Sequence, residues 1–286
     1  MKKLLGLGLV AALAFVVLVG CNHDNDTTNG NGETGSMRGL INVVTREEGS
    51  GTRTAFIEMT GIDDIWNEAN VQNGTSAVIN TVAGSNISIG YSSIASIAGN
   101  NTVRAIQVDG IAATAATIRS GAYPISREFG IVTTELNEIA QDFFDFIISA
   151  EGQAIVDSSY IAAVENAPAF EGGAVSGTIV VGGSTSVAPL VTTLARAYMD
   201  LNGDVTIQVQ SLGSTAGING AIERVFDIGL TSRAMTADEL AQATETIIAV
   251  DGIAVIVPAS NNIAGLTLAQ VADIFTGAVE RWDDLQ

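Results

Sequence analysis

Thr178-Ile179-Val180-Val181-Gly182-Gly183-Ser184-Thr185-Ser186-Val187-Ala188-Pro189-Leu190 passes from a β-branched run, through a turn of small residues, into the apolar spacing of a helix. Two other stretches repeat the pattern. Residues 40–44 lead to Gly49-Ser50-Gly51-Thr52, and residues 205–209 lead to Gly213-Ser214-Thr215-Ala216-Gly217. A strand, a small-residue turn and a helix start together make an anion site. The first helical N–H groups have no partner within the helix, and the helix dipole adds partial positive charge. Small residues let an oxyanion approach those N–H groups, and the hydroxyls add donors. Three such turns in one chain, one with Arg46 just upstream, predict convergence on a single bound oxyanion. Simple helix capping by Ser50 and Thr185 is compatible with that role, because a capping turn is also what binds an anion.

Outward from these turns the β-turn-α pattern fills the body. Strands are expected at 87–91, 103–108, 227–230 and 247–257, the last broken at Asp251-Gly252. Helices are expected at 52–60, 76–83, 114–120, 136–149, 186–201, 217–225 and 268–275. Pro189 sits in the first turn of its helix, where a missing N–H costs little. Residues 167–176 are rich in Gly, Ala and Pro and read as a linker. Alternating strands and helices predict an α/β fold. Val-Asp-Gly-Ile-Ala occurs at 108–112 and again at 250–254, a match of common residues assigned to chance.

The ends of the chain and its charge set the context. Lys2-Lys3 followed by an apolar run to Val19 reads as a signal peptide over residues 1–20. Leu18-Val19-Gly20-Cys21 resembles a bacterial lipobox, and Cys21 is the chain's one cysteine. Cys21 is therefore the expected lipidation site, with 21–36 a polar, flexible tether holding the body off the membrane. No later stretch is long and apolar enough to span a bilayer. Net charge is −19, and both lysines lie in the leader. That argues against nucleic acid as a partner. An acidic surface still permits a local anion site, because exposed charges are screened beyond about 8–10 Å. The acidity fits either a saline or alkaline habitat or plain solubility.

His23 is the one histidine and lies in the tether. Without further His, Cys or Lys in the body, Ser-His and Cys-His nucleophiles, Schiff-base lysines and common zinc sets are excluded. No catalytic residue, metal or cofactor is expected, and a binding protein is favoured over an enzyme such as a phosphatase.

Taken together, residues 182–190, 212–218, 227–233 and 266–282, with Arg46 to Arg53, 88–91, 123–127 and 150–153, resemble the PstS family, the phosphate-binding proteins of ABC importers. The resemblance covers nearly the whole body. It implies a two-lobed, periplasmic-binding-protein-like (type II) fold with the ligand cleft between lobes. The segment order is swapped relative to the family: 38–170 looks like its C-terminal half and 177–286 like its N-terminal half. A circular permutation is expected, with the old ends joined by 167–176. One lobe would then comprise 38–122 plus 251–286, and the other 123–250.

The resemblance implies phosphate contacts from Thr185 and Ser186, from Ser214, and from Arg46, Ser50, Gly51 and Thr52, with Glu48 holding Arg46. Ser232 stands where some relatives carry Asp, which accepts the proton of hydrogen phosphate, so discrimination against sulfate must be weaker or rest on another acceptor. Arg233 reads either as a second cation or as a partner for an acid. The expected function is a lipid-anchored extracytoplasmic receptor, a monomer, that captures inorganic phosphate for an ABC permease and ATPase. The alternatives are another oxyanion (sulfate or molybdate) on the same scaffold, or a surface sensor or adhesion protein.

Overall fold

A computed structural model describes residues 39–285. The signal peptide, Cys21, the tether and Arg38 lie outside the described residues. The elements run β1 (Asn42–Arg46), α1 (Gly51–Thr60), β2 (Asn70–Gln72), α2 (Thr75–Ala83), β3 (Ser88–Ser93), α3 (Ile94–Ile97), β4 (Val103–Ala105), β5 (Gln107–Val108), α4 (Ala115–Arg119), β6 (Ser126–Thr133), α5 (Glu138–Ile148) and α6 (Ala150–Asp157). They continue as β7 (Ile161–Ala162), β8 (Gly177–Gly183), α7 (Ala188–Leu201), β9 (Val205–Ser211), α8 (Ser214–Ile222), β10 (Ile228–Thr231), α9 (Ala237–Leu240), β11 (Thr244–Pro258), β12 (Gly265–Leu266) and α10 (Leu268–Thr276). Residues 167–176 carry no helix or strand.

The main sheet has the order β2-β1-β3-β11-β6-β10-β8-β9. β1 pairs in parallel with β2 and β3, and β8 in parallel with β9 and β10. Between these two parallel groups, β11 pairs antiparallel with β3 on one side and with β6 on the other. β6 in turn pairs antiparallel with β10. Fifteen-residue β11 therefore joins both groups. Asp251-Gly252 does not break it. Asp251 stays in the ladder opposite Arg127, and that cross-strand pair supplies the buried carboxylate with a cation.

Side chains alternate across the strands, so each part of the sheet is covered on both faces. Phe129 and Ile131 of β6 enter one core with Ile179, Val181, Phe143, Phe146, Leu194 and Tyr198. Val132 points the other way, into a smaller cluster with Ile218 and Met235. In β11, Ile253, Val255 and Val257 enter a second large core with Phe56, Tyr91, Phe275 and Trp282. Ala254 and Ile256 face Val44, Val78 and Val82 on the opposite side. Within the second core the Phe56 and Tyr91 rings stack with centroids 4.1 Å apart, and Phe275 meets Phe56 edge-on.

The start and end of the described body lie side by side. Leu40 bridges Arg281 antiparallel, Ile41 N donates to Glu280 O at 2.8 Å, and Trp282 N donates to Gly39 O at 3.0 Å.

The turn after β10 is held by Arg233. Its guanidinium makes two hydrogen bonds to the Glu239 carboxylate, at 2.7 and 2.9 Å. Glu239 also accepts from Thr236 N, closing the capping box of α9. Of the two readings of Arg233, the structure shows the acid-paired one.

Two predictions follow from this packing. A Cβ on Gly217 would lie 2.5 Å from Leu230 O and 2.7 Å from Gly183 Cα, both backbone atoms that have no room to yield. Gly217→Ala should therefore destabilise the fold by about 1–3 kcal/mol, read as a lower denaturation midpoint at unchanged slope. The Arg233 hydrogen bonds lower the Glu239 carboxyl from 4.5 to about 2. A lowered acid contributes stability above its ordinary value and loses it as pH falls through the folded one. Glu239→Gln should be less stable than the parent chain near neutral pH, and that gap should close as pH falls toward about 2. Thermal midpoints of both chains across this range check it.

Candidate functional site

Four helix N-termini meet at one place. Ser50 caps α1 by accepting from Arg53 N, and Thr52 is the second residue of that helix. Thr75 opens α2, Ser214 opens α8, and Thr185-Ser186 precede α7. Their hydroxyls bond to one another. Thr52 Oγ1 and Ser186 Oγ are 2.9 Å apart, Thr75 Oγ1 and Thr185 Oγ1 2.9 Å, and Thr75 Oγ1 and Ser186 Oγ 3.2 Å. Beside them Ser184 Oγ donates to Ser232 Oγ at 2.8 Å, and Ser214 Oγ lies 3.2 Å from Ser232 Oγ. Gly51 packs against this second group. A Cβ there would collide with the Ser214 hydroxyl and stand 2.7 Å from Ser232 Oγ. Thr215 N donates to Gly49 O at 3.2 Å, so the α8 and α1 turns also touch through the backbone.

Two arginines donate into the hydroxyl cluster. Arg46 Nη1 donates to Thr75 Oγ1 at 3.2 Å, and Arg127 Nη1 donates to Thr52 Oγ1 at 2.8 Å. Each threonine oxygen accepts from its arginine and keeps its own proton and a further lone pair for its hydroxyl neighbours in the cluster. Both guanidinium groups are almost completely buried. Arg46 is matched by Glu47, whose oxygens accept from Nε at 2.7 Å and from Nη2 at 2.6 Å. This corrects the expectation for Glu48, which is exposed. Glu47 directly follows β1, and its Oε2 is further fixed by Gly74 N at 3.0 Å. Burial works to raise the Glu47 carboxyl, but the hydrogen bonds and charge of Arg46 and the Gly74 amide outweigh it and hold it below the ordinary value.

Arg127 has a looser counter-ion. Asp251 Oδ2 lies 3.5 Å from Nη2. Burial pushes the Asp251 carboxyl up to about 6 against the pull of Arg127, and burial likewise draws Arg127 down to about 10.

The structure thus brings together Thr185, Ser186, Thr52, Ser214, Ser232 and Gly51. Arg46 reaches them through Thr75, and Ser50 serves α1 as its cap. Sequence reasoning missed Thr75 and Arg127. Gly74-Thr75-Ser76 is another small-residue turn before a helix, the same signal as the other three, but no β-branched run was recognised ahead of it. Arg127 lies in a stretch quoted for its resemblance but carried no role there.

Comparison with known proteins matches this architecture. The family model described as a PBP superfamily domain covers residues 24–151 and 168–286. Phosphate-binding protein PstS 2 of Streptococcus agalactiae is 40% identical over 297 residues, covering 99% of this chain and 98% of the relative. Its namesake in Streptococcus pneumoniae is 38% identical over 296 residues, covering 100% and 99%. The crystal structure of a phosphate ABC transporter phosphate-binding protein from Streptococcus pneumoniae superposes with a TM-score of 0.69 at 40% identity, covering 87% of this chain and 100% of that one. The chain belongs to the PBP superfamily and, within it, to the PstS family of phosphate-binding proteins.

Proposed function

We propose that this chain captures inorganic phosphate outside the cytoplasm and hands it to an ABC permease and its ATPase. The observation that carries the reading is the convergence of four helix N-termini on one buried hydroxyl cluster. Arg46 and Arg127 donate into it, and among the described residues no carboxylate hydrogen-bonds to any of its hydroxyls. Such a site offers donors and positive potential, which a tetrahedral oxyanion needs once it leaves water. The names of the streptococcal relatives support phosphate as the ligand.

On this reading Thr185, Ser186, Ser214, Ser232, Arg46, Ser50, Gly51 and Thr52 form the binding set, with Thr75 added. The ligand is held and released unchanged, so the chain is a receptor and not an enzyme. It works as a monomer, anchored to the membrane through a lipid on Cys21. Helix termini and arginines on both sides of the β6–β11 pair would close over the anion as two lobes. A segment order permuted relative to other members of the family is compatible with the adjacency of Gly39–Leu40 to Arg281–Trp282, while PstS 2 of Streptococcus agalactiae matches this chain from end to end.

Ser232 favours a second reading, a less selective oxyanion receptor. Its hydroxyl can accept one proton from hydrogen phosphate but does not repel a fully ionised sulfate as a carboxylate would.

Calorimetric titration with phosphate, sulfate and molybdate separates these readings. Phosphate should bind tightly, and Arg46→Ala should weaken it by about tenfold to a hundredfold, since hydrogen bonds to charged groups contribute about 1.5–3 kcal/mol. Comparable affinity for all three anions would favour the broader receptor. No binding by a cooperatively folded chain would overturn the reading and leave a surface sensor or adhesion protein.

A further inference from the structure

Arg127 is placed where both large cores meet. It lies near the start of β6, opposite Asp251 of β11, and its Nη1 donates to Thr52 Oγ1 of α1 at 2.8 Å and to Ser232 O after β10 at 3.3 Å. One guanidinium thus holds a hydroxyl of one chain segment and a backbone carbonyl of another far from it in sequence. The side chain is 2% exposed, and its Nε has no hydrogen-bond partner among the described residues. The plane of the group packs over the Phe129 ring, 5.0 Å from its centroid.

The two arginines of the cluster are compensated differently. Arg46 is gripped at 2.6 and 2.7 Å by both oxygens of Glu47, so its charge is matched by a fork-to-fork pair. Arg127 has one contact to one oxygen of Asp251, at 3.5 Å. Coulomb attraction falls with distance, and a single long contact leaves more field to act elsewhere. Burial raises the Asp251 carboxyl to about 6 against the pull of Arg127. The less compensated positive charge beside the hydroxyl cluster therefore sits on Arg127.

We propose that Arg127 is a positioning residue for the bound anion: it locks Thr52 Oγ1 as a donor toward Ser186 and the cluster interior, and supplies the cluster's less compensated positive charge. This rests on the anion-binding reading above. Asp251 keeps the guanidinium in place but opposes the anion, so the pair is a compromise between a stable strand pair and a strong site.

The test is a double-mutant cycle read by phosphate titration of the full chain, with the thermal midpoint of each ligand-free variant recorded. Arg127→Met should raise the phosphate Kd by about tenfold to a hundredfold. Arg127→Lys, which keeps the charge but not the fork, should fall between it and the parent chain. Thr52→Val alone should also weaken binding. Adding Arg127→Met to it should cost less than the product of the two separate losses, because Arg127 acts partly through that hydroxyl. Asp251→Asn should leave phosphate binding as tight or tighter.

A merely structural Arg127–Asp251 pair predicts the opposite: Asp251→Asn weakens binding together with Arg127→Met, and the Thr52 effect is independent. That result, or Kd values for Arg127→Met and Arg127→Lys indistinguishable from the parent chain, overturns the proposal. If Arg127→Met does not fold, the Arg127→Lys and Asp251→Asn arms decide it by the same criteria. Failure of the parent chain to bind phosphate would overturn the anion-site reading, and this inference with it.

Discussion

Strands β6 and β11 run antiparallel through the middle of the sheet, and the rest of the molecule is arranged on either side of this ladder. On one side it continues into β10, β8 and β9, on the other into β3, β1 and β2. A register shift between Ile247 and Ala249 falls within β11. The first part of that strand lies in one large core and the later part in the other. The parallel groups flanking the ladder end in turns that open α1, α7 and α8, and α2 joins them after β2. A parallel strand feeding a helix places its C-terminal end beside that helix's N-terminus. Two such groups facing one another across a shared ladder therefore aim several helix N-termini at the same place. The hydroxyl cluster follows from that topology.

An acidic protein holding an anion site is consistent physically once the two scales are separated. Surface carboxylates act through water and salt, whereas Thr52, Thr75, Ser186 and Ser232 are buried or nearly so and lie within hydrogen-bond distance of one another or of neighbouring hydroxyls. Within the cluster the charged groups are Arg46 and Arg127, each meeting its acid through nitrogens other than the Nη1 that bonds a hydroxyl. Exposed acids such as Glu48 favour solubility without entering the site.

The strand-turn-helix units were legible in sequence because their signals are local: β-branched runs, small residues and helical spacing need no partner to be recognised. The turns that carry Ser50, Thr52, Thr185, Ser186 and Ser214 stood out that way, and the resemblance to the PstS family singled out those residues within them. What the sequence hid depends on contacts made across long separations. Val-Asp-Gly-Ile-Ala illustrates it. At 108–112 the chain turns through Asp109 and Gly110, both at positive φ. At 250–254 the same five residues run straight through a central strand, because Arg127 lies opposite Asp251 and closes its ladder position. Local propensity favours a turn in both copies, and tertiary pairing overrides it in one. Glu48 was assigned to Arg46 by resemblance for a similar reason, since only the placement of Gly74 and Thr75 shows that Glu47 is the carboxylate that turns toward Arg46. Arg127 was missed because an arginine in a strand announces nothing until its cross-strand and cross-sheet partners are known.

The central claim is that the hydroxyls gathered by α1, α2, α7 and α8 form one seat for a tetrahedral oxyanion. A crystal structure of the chain grown with arsenate, located by the anomalous signal of arsenic, tests it most directly. The account predicts a single arsenate with oxygens within hydrogen-bond distance of Thr52, Thr75, Ser186 and Ser214 and its charge facing Arg46 and Arg127. Arsenate bound elsewhere, with the Thr52–Ser186 and Thr75–Thr185 hydrogen bonds intact, would contradict it.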